Sequence, residues 1–178
     1  EGAAALMLET EASVRERGAS VLGEILGGGS ASDALGLLAI RDDGDALARS
    51  IELALRDANL EPRDIGMIAA HGNGTPQSDA SEAAAIRHVF GNAAPPATAF
   101  KWSFGHLIAA AGILEAVLAL HALRDGAVPG IATYGRADPD CDGVRVSVEA
   151  RRARGDVALV LCRGFAGTNA ALLLRATH

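Results

Sequence analysis

The chain has 178 residues, 49% hydrophobic and 21% charged, a balance that excludes a disordered chain and suffices for one domain with a sizeable core. A net charge of −6 argues against nucleic acid as a partner, because phosphate binding draws on a surplus of Lys and Arg. Cys141 and Cys162 make no disulfide framework and carry no metal-ligand spacing, and the longest apolar stretch, 107–123, holds Glu115 and His121 and is short for a membrane span, so a cytoplasmic protein without metal or cofactor is expected.

The chain opens on EGAAALMLET, apolar and without an initiating Met, and reads as a piece of a longer protein. Residues Gly2–Glu9 are expected to form a buried strand, and Glu11–Arg17 a short helix stopped by Gly18. Val21–Leu26 reads as a second strand that ends in a loose GGGSASD loop. From Asp45 to Asn59 the apolar residues Leu47, Ile51, Ala54 and Leu55 recur at helical spacing, and Pro62 breaks the chain beyond them. Ile65–Ala70 is a short apolar strand running into HGNGTP. Ser78–Phe90 reads as a helix with Ser78 as N-cap and Gly91 as its stop.

A strand near Ala97–Phe100 precedes KWSFGH and a long helix over Leu107–Arg124, which Asp125-Gly126 ends. Pro129 begins an irregular connection. Val144–Val148 and Val157–Leu161 read as strands, and the chain closes with GFAGTN and AALLLRA. Arg145, Arg151, Arg152 and Arg154 form a basic cluster, read as a solvated loop. Strands alternating with helices imply an α/β layered fold, with much of the sheet buried on both faces.

Four positions stand out chemically. The helix over 107–124 is apolar nearly all round, so it should be buried, and Glu115 in its middle then needs a partner. Lys101 is the single lysine among sixteen cationic side chains. A compact ammonium shifts its pKa on burial in a way that arginine cannot match, and Lys101 is the better mate for Glu115 if its segment folds back. His106 precedes the helix, where the dipole disfavours its protonated form and a neutral imidazole can donate to an oxygen gaining charge. His71 follows a strand end, the place where an α/β sheet presents functional loops. HGNGT is not a phosphate-binding P-loop, because the Lys-Ser/Thr ending is absent.

His71, Lys101, His106 and Glu115 followed by GFAGTN, in that order, resemble the second half of a β-ketoacyl-acyl-carrier-protein synthase of the thiolase-like fold. That family shows an HGTxT-type loop, a K-x-x-x-GH segment, a buried helix with an internal Glu and a GFGGTN loop. Here these are AHGNGT, KWSFGH, GHLIAAAGILEA and GFAGTN, and VPGIATYGRADPDCD resembles the family's proline-rich connection. The resemblance runs over residues 1–178, and it implies a half-fold with a layered mixed sheet and helices on both faces, one of them a buried central helix.

The implied chemistry is decarboxylative condensation of malonyl and acyl thioesters carried on acyl carrier protein, in fatty-acid or polyketide-type synthesis. By resemblance, His71 and His106 stabilise charge on the malonyl thioester oxygen. Lys101, with Glu115, holds the charge balance. Phe165 is a gate with its N–H in an oxyanion hole; Gly164, Thr75 and Asn73 are substrate-binding, the last two at the pantetheine arm; Asp79 and Glu82 match supporting acidic positions. The resemblance also implies dimerisation of the intact enzyme and a nucleophilic cysteine in an N-terminal half absent from this sequence, so this chain is expected to be inactive alone. Cys141 and Cys162 are read as ordinary small residues.

Asn73, Ala109, Arg163 and Ala166 depart from the family pattern. Arg163 stands where an aromatic is common and is expected to change the acyl pocket, and Ala166 to restrict the gate loop. Two other readings are a non-catalytic partner subunit of the chain-length-factor type and a half-domain that only binds carrier protein or acyl chains. Retention of His71, Lys101 and His106 argues against the partner subunit.

Overall fold

The computed structural model describes residues 1–177. After the helix α1, Glu11–Arg17, whose last turn closes on left-handed Gly18, comes the strand β1, Gly23–Ser32. The helix α2, Asp45–Asp57, leads to β2, Met67–Ala69, and then to α3, Pro76–Phe90. A two-residue strand β3, Ala97–Thr98, precedes the single-turn helix α4, Lys101–Phe104, and the helix α5, Ala111–Arg124. A small antiparallel pair, β4 (Ala127–Val128) with β5 (Arg151–Arg152), comes before the long hairpin of β6, Val157–Gly164, and β7, Thr168–Ala176.

The main sheet has the order β1-β7-β6-β2-β3. β2 runs parallel to β3 and β6, whereas β7 is antiparallel to both β6 and β1. Because side chains alternate along a strand, β6 sends Val157, Leu159 and Leu161 to one face and Ala158 and Val160 to the other. The first face packs on Leu47, Ile51 and Leu55 of α2 and Ile86 of α3. The second packs on Ala116, Ala119 and Leu123 of α5. The expected layering of a mixed sheet between helices is therefore present.

α5 buries a stripe of Ala111, Glu115, Ala116, Ala119, Ala122 and Leu123 against the sheet, while Ile113 on its other side is 42% exposed. Its first expected turn, 108–110, is a separate 3-10 turn in which Ile108 has φ +53.

Several expectations are corrected. Residues 2–9 form no strand and are mostly exposed, Met7 at 86%; a strand exists only by pairing, and neither edge of the sheet takes this segment. The GGGSAS run is not a loop but the body of β1. Its glycines answer to packing: a Cβ on Gly29 would lie 2.2 Å from the Ser50 carbonyl oxygen, and one on Gly27 2.7 Å from the Ala58 nitrogen. α2 thus rests directly on the strand backbone.

α3 starts one turn earlier than expected, with Thr75 in the N-cap position before Pro76, a proline that suits the first helical turn. Ser78 is inside the helix and buried. Val144–Val148 adds only a single bridge, Arg145 to Pro96, rather than a strand. Arg151 and Arg152 are exposed, but Arg145 and Arg154 donate to the carbonyls of Ala94 and Ala93, so the basic cluster is partly tied to the loop before β3. Among the described residues no helix is long and apolar enough to cross a membrane.

Candidate active site

β2, β3 and β6 run in parallel, and the segments leaving β2 and β3 bring His71 and Lys101 to Arg163 near the end of β6. β2 ends at Ala69, and two residues later His71 is 2% exposed. The loop 71–75 is wound onto the first turns of α3. Glu82, itself 3% exposed, accepts the N–H of His71 on Oε1 at 2.7 Å and the N–H of Gly72 on Oε2 at 2.9 Å. Asp79 accepts the N–H of Gly74 at 3.3 Å. Asn73 Oδ1 accepts both the N–H and the hydroxyl of Thr75, at 3.0 and 2.9 Å. Gly72 has φ +44, and a Cβ there would lie 2.5 Å from that of Ala99, so glycine is required where the loop crosses the turn after β3.

Lys101 opens α4 and points inward. Its Nζ donates to Glu115 Oε1 and to the His71 carbonyl oxygen, both at 2.5 Å, with both side chains at least 96% buried. The fold-back that would pair Lys101 with Glu115 occurs because α4 lasts one turn and Gly105, at φ +82, reverses the chain toward α5. Burial pushes the Glu115 carboxyl up, and the bond to Lys101 opposes that.

The same reversal presents His106. Its Nδ1 accepts the Ile108 N–H at 3.0 Å, and its ring centroid lies 5.3 Å from that of His71, with the planes at 74°. His71 Nδ1 in turn accepts the backbone N–H of Arg163 at 3.3 Å. A neutral imidazole that accepts at Nδ1 carries its proton on Nε2. Both rings are thereby assigned, from their hydrogen bonds, as Nε2–H donors.

Both stay neutral. Burial, with the Lys101 ammonium, His106 and the Arg163 guanidinium adding to it, pushes the pKa of His71 down to about 3. His106 is moved in the same direction by desolvation and by Lys101. Burial also pushes the Asp79 and Glu82 carboxyls up, against the pull of the amides they hold and of Arg163.

Gly164 is the last residue of β6, and Phe165 opens the three-residue connection to β7, where it is 68% exposed. Ala166 adopts φ +58 and ψ +27. The expectation that alanine denies this loop positive φ is corrected: the loop takes the left-handed conformation anyway and stores the strain.

Arg163 is corrected as well. Its guanidinium is buried and spent on protein partners, donating to Asn169 Oδ1 at 2.9 Å, the Ser78 carbonyl at 3.0 Å and Ser81 Oγ at 3.1 Å, with Asp33 Oδ2 at 3.6 Å. Asn169 and Asp33, which the sequence reading did not single out, belong to this set. Asn169 Nδ2 donates to Asp33 Oδ1 and to the Gly167 carbonyl. The signal that could have found them was the buried position that strand alternation assigns to Arg163, because a buried cation demands acceptors. Burial raises the pKa of Cys141 and Cys162, the reverse of an activated thiol.

The family described as "Beta-ketoacyl synthase, C-terminal domain" matches residues 22–134. The chain is 39% identical to a putative polyketide β-ketoacyl synthase 1 of Streptomyces cyaneus over 98% of its length and 42% of the relative's. It is 34% identical to 3-oxoacyl-[acyl-carrier-protein] synthase 2 of Staphylococcus aureus (strain COL), over 98% of this chain and 43% of that protein. Among solved structures, the ishigamide ketosynthase/chain length factor superposes with a TM-score of 0.88 at 37% identity, covering 96% of this chain and 42% of that one. The chain thus spans less than half the length of these relatives, over their C-terminal domain. With the fold, the motif order and the family match in agreement, this chain belongs to the β-ketoacyl synthase family and corresponds to its C-terminal domain.

Proposed function

We propose that this chain supplies the decarboxylating half of a β-ketoacyl synthase active site. The supporting observation is the pair of neutral imidazoles, 5.3 Å apart, each with its ring proton on the nitrogen away from the backbone contact. In the reaction, the bond between the malonyl Cα and its carboxylate breaks and carbon dioxide leaves. The electron pair moves into the thioester, and negative charge gathers on its oxygen. His71 and His106 donate Nε2–H bonds to that oxygen, and a protonated histidine is not needed. The enolate carbon then attacks an acyl thioester held on a cysteine outside this chain, expelling the thiolate.

Lys101 and Glu115 fix the His71 loop through its carbonyl, while Phe165 stands beside the acyl thioester. Thr75 and Asn73 lie at the exposed mouth of the loop, where a pantetheine arm would pass. The partner is an acyl carrier protein carrying malonyl and acyl groups; the name of the Staphylococcus aureus relative includes that carrier. Without a cysteine-bearing half the chain does not condense. Retention of His71, Lys101 and His106 favours a ketosynthase over a chain-length-factor-type subunit.

Carbon dioxide release from malonyl-acyl-carrier-protein by the intact synthase, with and without His71→Ala, tests the reading. Release that falls with His71→Ala supports it. No release from the intact protein, supplied with acyl primer and any partner subunit, would overturn it in favour of the non-catalytic subunit.

A further inference from the structure

Arg163 is bound more fully than any other cation described, and nothing in the reaction above uses it. Its main chain and side chain serve different elements. The N–H holds His71 Nδ1, while the guanidinium reaches across to α3 (Ser78 and Ser81), β7 (Asn169) and the end of β1 (Asp33). α3 is also the element whose Glu82 grips the amides of His71 and Gly72. The imidazole is thus held from two sides, by a strand amide and by a loop clamped to a helix. The Arg163 side chain is the covalent continuation of the first and the hydrogen-bonded tether of the second.

We infer that Arg163 is a positioning residue for His71: its guanidinium sets the distance between β6 and α3, and so keeps the Arg163 N–H on Nδ1 and the ring proton on Nε2. This rests on the decarboxylase reading of the same site. Arginine suits the task because a planar fork makes bonds in several fixed directions at once. Lysine would keep the charge among Asp33, Asp79 and Glu82 but could not span Asn169, Ser78 and Ser81 together. The strand would then be free to drift from the helix by the few tenths of an ångström that an already long 3.3 Å bond cannot absorb.

The same residue reaches the exposed loop. Arg163 and Asn169 face each other across the last pairs of the β6–β7 ladder, and Asn169 closes the connection through the Gly167 carbonyl. The Asp33 N–H also donates to that carbonyl. The turn keeps that main-chain bond when the guanidinium is changed, so the test reads His71 and the Phe165 loop separately.

The test is a double-mutant cycle in the intact synthase: Arg163→Lys, His71→Ala and the pair. It is read as carbon dioxide release from malonyl carrier protein, acyl transfer onto the nucleophile, and the 15N shifts of the His71 ring. Arg163→Lys is expected to lower kcat for release about tenfold with KM within about twofold, the mark of an interaction made in the transition state. Acyl transfer is expected to change by less than about twofold, the release defect to vanish when His71 is already Ala, and the ring to show mixed tautomers. Losses that multiply in the double variant, acyl transfer falling in step with release, or an unchanged tautomer would each show that Arg163 only supports the fold. If His71→Ala alone leaves release intact, the decarboxylase reading fails, while the tautomer measurement still decides the positioning of the ring. Ser81→Ala removes one guanidinium bond, together with the bond from Ser81 Oγ to the Arg41 carbonyl, without moving the charge, and serves should Arg163→Lys not fold. It is expected to lower release about threefold, the worth of one hydrogen bond.

Discussion

Lys101 is joined to His71 through the main chain rather than through the ring. Its Nζ sits 2.5 Å from the His71 carbonyl oxygen and 2.5 Å from Glu115 Oε1, with the Lys101 and Glu115 side chains almost fully buried. The ammonium thus serves two ends at once: it neutralises a carboxylate buried in α5 and fixes the backbone on which the imidazole hangs.

Breaking that pair from one side strands a buried charge. Glu115→Leu is expected to cost about 3–5 kcal/mol, and Lys101→Met a similar amount, whereas the double variant should be less destabilised than either single change. Urea unfolding of the four proteins measures this directly. Additive losses would show that Lys101 and Glu115 do not act as a pair.

The depressed pKa of His71 makes stability depend on pH. The unfolded chain takes up this proton near pH 6.5, while the folded chain holds it off to about pH 3. Between those values the unfolded state binds more protons, so the contribution of His71 is full above pH 6.5 and is lost as pH falls, by at most about 1.4 kcal/mol per pH unit. The raised carboxyls of Glu82 and Glu115 act in the opposite sense, since the folded state there holds the extra proton. The stability difference between the wild type and His71→Asn isolates the histidine, and it should shift against the wild type as pH drops from 6.5 toward 4. Lys101→Met should bring the pKa of His71 back toward its ordinary value in an NMR titration.

The glycines of β1 can be tested by position. Gly29→Ala drives a methyl into the Ser50 carbonyl of α2 and should destabilise by about 2–3 kcal/mol, the cost of overpacking. On Gly28 the nearest atom a Cβ would meet is 3.7 Å away, so Gly28→Ala should leave the urea midpoint unchanged or raise it. Equal effects at the two positions would refute the packing account.

Ala166 holds a backbone conformation that suits glycine. Ala166→Gly is expected to raise stability by about 1 kcal/mol through relief of that strain, with an unchanged urea m-value. A loss of stability would mean that the added freedom of glycine outweighs the strain in this loop.

The most local features were legible without coordinates. Gly18 and Gly91 end their helices because left-handed or otherwise unusual backbone follows from having no Cβ, and α2 follows from its 3.6-residue apolar period. The family itself was readable, since spacing along the chain preserves the order of HGNGT, KWSFGH and GFAGTN even where each motif alone is weak. What misled the reading of β1 was composition. Three consecutive glycines are a loop signal when judged by propensity, and they become a strand because a helix from elsewhere in the chain needs their surface. The opposite error fell on residues 2–9, whose apolar run suits a strand but finds no edge to pair with.

By itself, then, the sequence determined the order of motifs, the helical periods and the isolation of one lysine among arginines. These are properties of neighbours along the chain. Tertiary structure alone decided which nitrogen of each imidazole carries its proton, that Lys101 reaches Glu115, and that Arg163 turns to α3 and Asp33. Apart from the Ile108 N–H on His106, two positions away, each of those depends on contacts between residues 14 to 130 positions apart. Only the folded chain brings such donors and acceptors within 3 to 4 Å, where their direction and burial set the chemistry.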